Sequence, residues 1–331
     1  MHYDVFGLGN ALVDVVYHDV TQLFLKEHDI DKGVMTLLDH NRFNLLLDAL
    51  GSKPSIQSGG GSAANSMIAL AQLGGSAFYA CRVGDDPAGH FYRKDLLESG
   101  VATSVIDQGR IGETGRCLVM VTPDADRTLN TYLGITSEFS LSDVPESELK
   151  KARYIYLEGY LLAQKGGVVA VGNACQLAGE NGIKRSLTFS DPWMLTQFRA
   201  GFDQVLAQGM DLIFSNEQEA LIYTECETLD DAVAKMKTFA PSFVITQGEK
   251  GALVFEQGQL HQVDGVATKA IDTNGAGDMF AGATLYGLNQ NLSLKDSAQF
   301  ACHCSSALVA TIGARLSNQK MAQLKSDHFN F

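Results

Sequence analysis

The chain has 331 residues, 45% hydrophobic and 19% charged, enough to bury the core of one large domain with an appendage. Its net charge of −13, from 25 basic and 38 acidic residues, argues against the basic footprint of a nucleic-acid binder. No apolar run reaches the roughly 18 residues of a membrane span. Residues 1–9 lack the basic-then-apolar pattern of a signal peptide, so no membrane contact is expected and the cytoplasm is the expected compartment.

Strands and helices alternate along most of the chain. Residues 5–9 read as a buried strand. Residues 63–73 (AANSMIALAQL) carry apolar residues at helical spacing and stop at Gly74-Gly75. A strand over 76–83 follows, then a helix capped by Asp86 with Pro87 at its first position, running to Glu98 and ending at Gly100. Strand–helix pairs come next: 154–157 before 167–180, 187–190 before 194–206, and 212–215 before 217–223. After a strand at 243–246, two helices are predicted over about 276–289 and 293–312, the second capped by Ser293. This repetition predicts an α/β fold, a three-layer sandwich around a mainly parallel sheet. Two stretches interrupt it. Residues 117–121 (CLVMV) and 127–133 (RTLNTYL) alternate like strands of a small antiparallel sheet, and residues 11–58 mix polar and apolar segments. The expected division is a core of 1–10, 59–110 and 137–331, with a small β lid from 11–58 and 111–136.

The six cysteines are scattered without a C-x-x-C, which fits free thiols in a reducing compartment. The eight histidines show no metal-ligand spacing. A dinucleotide fingerprint fails because Leu12 stands where G-x-G-x-x-G needs its third glycine, and a Walker-type loop fails because no Gly-Lys pair occurs.

Five stretches carry chemistry. In DTNGAGD, 272–278, the small residues Gly275, Ala276 and Gly277 precede a helix, so free N–H groups and the helix dipole would face an anion. Asp278 repels phosphate, so it makes sense as the base that takes a proton from an attacking hydroxyl. The alternative is a glycine turn with an acid favoured in the first helical turn. GGGSAAN, 59–65, also leads into a helix, and Asn65 could bind polyol hydroxyls; the alternative is a tight strand-to-helix turn. Asn216 and Glu219 in NEQE follow a strand and could hold Mg²⁺ through its waters, or form a helix cap. Thr246 and Gly248 lie where nucleotide phosphates could touch them, or in an ordinary turn. Asp14 after Gly9-Asn10 could accept a vicinal diol, or be a surface acid.

Together these stretches resemble the ribokinase-like (phosphofructokinase-B) family of sugar and nucleoside kinases, from Asp4 to about Leu316. DTNGAGDMFAGA at 272–283 is similar to the family's C-terminal signature, GGSAAN at 60–65 to its N-terminal one, and NEQE to its N-x-x-E element. The resemblance implies ATP and Mg²⁺ and, in much of the family, a monovalent cation such as K⁺. It implies Asp278 as catalytic base, Gly275, Ala276 and Gly277 as the anion hole, and Arg127 as a cation reaching the transferred phosphate. Asn10, Asp14, Gly60, Gly61 and Asn65 would bind the acceptor. Asn216, Thr246, Gly248 and Asn274 would attend the nucleotide.

Within the family, FGLGNALVD, the long spacing from Asp14 to Gly60, and SDPW at 190–193 resemble the adenosine-kinase group. Tyr160 and His303 fall where base-contacting residues are expected. The expected reaction is phosphorylation of a ribose-type primary hydroxyl, adenosine to AMP, by a monomer or homodimer. Val34-Met35-Thr36 offers no aromatic residue to close over a purine, which keeps a ribokinase- or fructokinase-type sugar kinase as the alternative. A non-catalytic nucleoside-binding protein on the same scaffold is the alternative of another class.

Overall fold

The computed structural model describes residues 2–104, 110–124 and 126–328; the parts of the expected core and lid segments at 1, 105–109, 125 and 329–331 lie outside the described residues. The strands are β1 Tyr3–Leu8, β2 Leu12–Tyr17, β3 Met35–Leu37, β4 Ser55–Gly60, β5 Ala77–Ala80, β6 Val101–Ala102 and β7 Gly115–Val121. They continue with β8 Arg127–Tyr132, β9 Ala152–Glu158, β10 Lys184–Thr188, β11 Leu212–Asn216, β12 Phe243–Thr246, β13 Gly251–Glu256 and β14 Gln259–Asp264. The helices are α1 Gln22–Glu27, α2 His40–Leu50, α3 Ser62–Gln72, α4 Pro87–Glu98, α5 Glu146–Leu149, α6 Lys165–Glu180 and α7 Pro192–Gln197. They end with α8 Arg199–Leu206, α9 Glu217–Thr224, α10 Leu229–Met236, α11 Ala276–Asn289, α12 Leu294–Val309 and α13 Asn318–His328.

Nine strands form one sheet in the order β14-β13-β12-β11-β10-β9-β1-β5-β6. From β6 to β12 every pairing is parallel, and β13 and β14 close the far edge as an antiparallel hairpin. Successive side chains alternate between the two faces. Val5, Tyr154, Tyr156, Phe214 and Val244 join the core under α3, α11 and α12. Phe6, Leu8, Ile155, Leu157, Ile213 and Ile245 join a second core under α6, α8, α9 and α10. Two buried faces make the three layers and explain why these strands read as apolar runs.

The local signals act as their chemistry requires. Asp86 accepts from the Gly89 N–H at 2.7 Å with Pro87 opening α4, and Ser293 accepts from the Asp296 N–H at 3.0 Å at the start of α12. The predicted helix 194–206 is two helices. The chain turns at Phe198, whose ring packs edge-on against Trp193. The β13–β14 hairpin was missed, although Gln257 and Gly258 both have positive φ and form a two-residue turn.

A second sheet, ordered β3-β8-β7-β2-β4, stands beside the first. The segments expected to pair antiparallel, 117–121 and 127–133, do so as β7–β8, and β2–β4 is antiparallel as well, but the sheet as a whole is mixed, because β2–β7 and β3–β8 are parallel. The reason is connectivity, because β2 and β7 arrive from different crossings out of the large sheet. Val13 and Val15 on its outer face share a core with Phe43, Leu46 and Leu50 of α2.

Helix α11 lies against α3, and their closest approach is at Gly282. A Cβ there would collide with the Ser66 carbonyl oxygen and sit 2.9 Å from the Ala69 Cβ. Gly282→Ala is expected to push the helices apart and destabilise the chain by about 1–3 kcal/mol, read as a lower midpoint in denaturant with an unchanged slope.

Candidate active site

The parallel strands end on one side of the molecule, where open α/β sheets bind ligands. Asn10 after β1, Glu158 ending β9, Thr188 ending β10, Asn216 ending β11 and Thr246 ending β12 all line one cavity of about 480 Å³. A second cavity, about 730 Å³, is lined by Gly248, Lys250, Val266, Cys302 and Ser306. Thr246, Thr273, Ala276, Gly277 and Phe280 line both cavities. The two spaces therefore meet at the N-terminus of α11.

That terminus is built by conformation. Gly275 caps α11 with φ +75°, and a Cβ on it would lie 2.8 Å from the Cα of Ala314. Among the described residues, the N–H groups of Gly275, Gly277 and Asp278 meet no acceptor. A Cβ at Gly277 would meet open space, so the backbone there faces the cavities.

Asp278 is held between two helix starts. Its Oδ1 accepts from Ser62 Oγ at 2.6 Å and its Oδ2 from Asn65 Nδ2 at 3.0 Å. Burial pushes its carboxyl up to about 6, against the lowering effect of these two donors and of the Arg315 charge. Ser62 and Asn65 sit on the first turn of α3, entered through Gly61 at φ +105°.

Glu158 organises the other end of that turn. It accepts from the Ala63 N–H at 2.8 Å, from the Asn10 N–H at 3.3 Å and from Asn10 Nδ2 at 3.2 Å. Tyr79 donates to the Asn10 carbonyl at 2.8 Å. Gly9 lies so close that a Cβ would collide with Glu158 and approach the Tyr79 hydroxyl to 2.5 Å. Burial lifts Glu158 to about 7 and Asp14 to about 6, the latter opposed by Arg315 and Arg127.

The predicted site residues divide as follows. Asn10, Asp14, Gly61, Asn65, Tyr160, Asn216, Glu219, Asn274, Gly275 and Asp278 line the first cavity, Thr246, Ala276 and Gly277 both, and Gly248 the second. Gly60 lines neither; a Cβ there would stand 2.7 Å from Asp14 Oδ1, so its bareness makes room for that carboxylate. Arg127 lines neither and is paired with Asp272 at 2.8 Å.

His303 is a correction. Cys302, Ser305, Ser306 and Val309 form the face of α12 that lines the second cavity, and His303 points off that face. Its ring lies 4.2 Å from that of His328. Asn216 and Glu219 form a reciprocal cap: Asn216 Oδ1 accepts from the Glu219 N–H at 2.8 Å, and Glu219 accepts from the Asn216 N–H at 2.9 Å and from its amide at 2.8 Å. Burial lifts Glu219 to about 7.

Sequence reasoning missed Ser62, Glu158 and Arg315. Ser62 stood inside the quoted GGGSAAN. Glu158 was legible as a lone acid ending an apolar strand. Arg315 has no local signal.

These features accord with the comparisons. The profile of the pfkB family of carbohydrate kinases matches residues 55–321. The chain belongs to that family. It is therefore a phosphotransferase acting on a hydroxyl group, with ATP implied as co-substrate. The structure of a probable sugar kinase from Rhizobium etli CFN 42 is 30% identical, with a TM-score of 0.89 over 99% of this chain and 100% of that one. The adenosine kinase from Sinorhizobium meliloti is 31% identical, with a TM-score of 0.88 over 98% and 99%. Adenosine kinase 2 of Arabidopsis thaliana is 25% identical over 94% of this chain and 96% of that protein. Membership of a kinase family sets aside the non-catalytic alternative. No helix among the described residues is long and apolar enough to cross a membrane.

Asp14, Glu158, Glu219 and Asp278 each keep a proton to higher pH folded than unfolded. Folding thus takes up protons between roughly pH 4 and 7, and the stability these groups contribute is lost as pH rises through 7. His303, pushed down by burial and His328, opposes this as one group against four. The ligand-free protein is expected to melt at higher temperature at pH 6 than at pH 8, and Glu158→Gln, which takes up no proton, to flatten that slope. A melting temperature that rises from pH 6 to 8 would refute the assignment.

Proposed function

We propose that the chain transfers the γ-phosphoryl group of ATP to the primary hydroxyl of a ribonucleoside, adenosine foremost, giving AMP. The observation that carries this reading is the split chemistry of the first cavity. Its floor is polar, with Asn10, Asp14, Asn65 and Asp278, and its roof is apolar, with Leu12, Met35, Leu37, Leu129 and Leu133 from in and beside the second sheet. A nucleoside has the same division, hydroxyls on the ribose and a flat base beyond them. The Sinorhizobium and Arabidopsis adenosine kinases support the same choice.

In this reading Asp14 and Asn65 hold the ribose hydroxyls, Gly60 clearing space for Asp14, while Asn10, Gly61 and Tyr160 wall the same pocket. Asp278 accepts the proton of the attacking hydroxyl. The new O–P bond forms as the bond from phosphorus to the β-phosphate oxygen breaks. ATP occupies the second cavity beside Gly248, with Thr246 and Asn274 at the junction. The free N–H groups of Gly275, Gly277 and Asp278 stabilise charge on the transferred group, while the Ala276 N–H, expected to join them, is taken by the Thr273 carbonyl at 3.2 Å. Arg127 would join them by exchanging Asp272 for a phosphate oxygen. The second sheet acts as a lid that keeps water out.

Among the described residues no three or more His, Cys, Asp or Glu gather into a metal cage. An Mg²⁺ ion brought with the nucleotide would keep most of its own waters. Both Glu219 oxygens are committed to the cap, so Glu219 and Asn216 would reach the ion through water, and the ion would neutralise phosphate charge.

The sugar-kinase reading keeps two supports: the likeness to the probable sugar kinase of Rhizobium etli, and, among the described residues, the lack of an aromatic residue of the second sheet at the cavity, where Met35 and Leu37 stand instead. ATP consumption with adenosine, ribose and fructose decides between them. Adenosine is expected to be turned over; turnover on a free sugar alone would overturn the nucleoside reading. Asp278→Asn should lower kcat by roughly 10²–10⁴-fold with acceptor binding largely kept. In the intact enzyme kcat/KM should fall as pH drops below about 6, where Asp278 and Asp14 take up protons.

A further inference from the structure

Arg315 lies beyond α12 and lines neither cavity, yet its side chain reaches three elements that build the site. Its Nε donates to Asn65 Oδ1 at 3.0 Å, its Nη1 to Asp95 Oδ2 of α4 at 2.6 Å, and its Nη2 to the Gly59 carbonyl of β4. The side chain is mostly covered, at 19% exposure. Gly59 permits this: a Cβ there would collide with Asp95 and stand 3.1 Å from Arg315 Nη2.

The chemistry of the three groups in line removes any freedom from the central one. A guanidinium only donates and a carboxylate only accepts. Asn65 stands between them, with Oδ1 on Arg315 and Nδ2 on Asp278 at 3.0 Å. Turning the amide over would set its NH₂ against the guanidinium and its oxygen against the carboxylate, losing both bonds.

We propose that Arg315 is a positioning residue for phosphoryl transfer: it locks the Asn65 amide with its donor end on Asp278 and keeps a positive charge behind that pair, so that the base stays ionised. The inference rests on the reading of Asp278 as the base. It explains why an arginine, which cannot lose its proton, is held mostly covered where it touches no ligand space.

The electrostatic surroundings agree. Arg315 acts to lower the proton affinity of both Asp278 and Asp14 against their burial. On Asp278 the other facing groups are Ser62 and Asn65 from α3, Glu158 and Tyr156 from β9, and Tyr160 just beyond it. The Asp278 charge in turn raises the proton affinity of Glu158. On Arg315 the facing groups are Asp95 and Tyr92 from α4 and Asp14 from β2.

The test compares pH profiles of kcat and kcat/KM from pH 5 to 9 for the wild type, Arg315→Gln and Arg315→Lys, using the acceptor the wild type turns over. Loss of a neighbouring cation raises a carboxylate pKa by about one unit or more. The acid limb of Arg315→Gln is therefore expected about one pH unit higher, with turnover on the order of fivefold lower at pH 6 and approaching wild type at pH 9. Arg315→Lys, which keeps the charge, should lie between. Because Arg315→Gln leaves Asp95 without its partner, the double variant Arg315→Gln/Asp95→Asn supplies a protein without that unpaired charge, and the same limb shift is expected from it. A folded Arg315 variant whose limb stays in place overturns the inference, as does a loss that is uniform across pH and not relieved by lysine. Asp278→Asn separates the two levels. If it retains turnover, the base reading falls and this inference with it; if it is inactive while the Arg315 limb does not move, this inference alone falls.

Discussion

A carboxylate held between two helix N-termini is the constraint on which this structure turns. Asp278 sits in the first turn of α11 and is grasped by Ser62 and Asn65 from the first turn of α3. Burial raises its proton affinity, while the two donors and the Arg315 charge lower it. The balance leaves a carboxylate that is ionised near neutral pH yet more basic than one in water. Both helices must start at the cavity for this to work, and both are entered through glycines at positive φ, Gly61 and Gly275.

The same geometry explains how an acidic chain of net charge −13 can handle phosphate. In the proposed reading the anion is met by backbone N–H groups at the α11 terminus rather than by a field of lysines. The arginines nearby are few and tied down, Arg127 to Asp272 and Arg315 to Asp95. Asp272 also accepts from the N–H groups of Gly313 and Asn274, so one acid fixes the loop before α11 and holds an arginine beside it.

The second sheet is part of the same packing unit as this centre. A single apolar core runs from α11 and α12 through α3 to Val13, Val15 and the helix α2 above them. The inner face of that sheet supplies Asp14 to the polar floor and Met35, Leu37 and Leu129 to the apolar roof. Strand alternation does this directly: in β2, Val13 and Val15 turn to the core while Leu12 and Asp14 turn to the cavity.

Much of this was legible along the chain. Alternating apolar runs and capped helices gave the parallel core, because strand period and cap chemistry are local properties. DTNGAGD and GGGSAAN could be read as helix starts near a ligand for the same reason. What the local signal could not give was which starts face each other. His303 was misplaced because one residue of helix phase decides whether a side chain meets a cavity or His328. Ser62, Glu158 and Arg315 acquire their parts from partners 216, 95 and 250 positions away: Asp278, the Ala63 N–H and Asn65. The sequence by itself determined the glycine-rich helix start that carries Asp278, the free N–H groups around it and the layers that carry them, since these follow from neighbouring residues. Only the tertiary structure decided that Asp278 is gripped from α3, that Arg315 hydrogen-bonds the Asn65 of that grip, and that apolar residues of the second sheet line the first cavity. Those contacts join segments whose meeting depends on the path of the whole sheet.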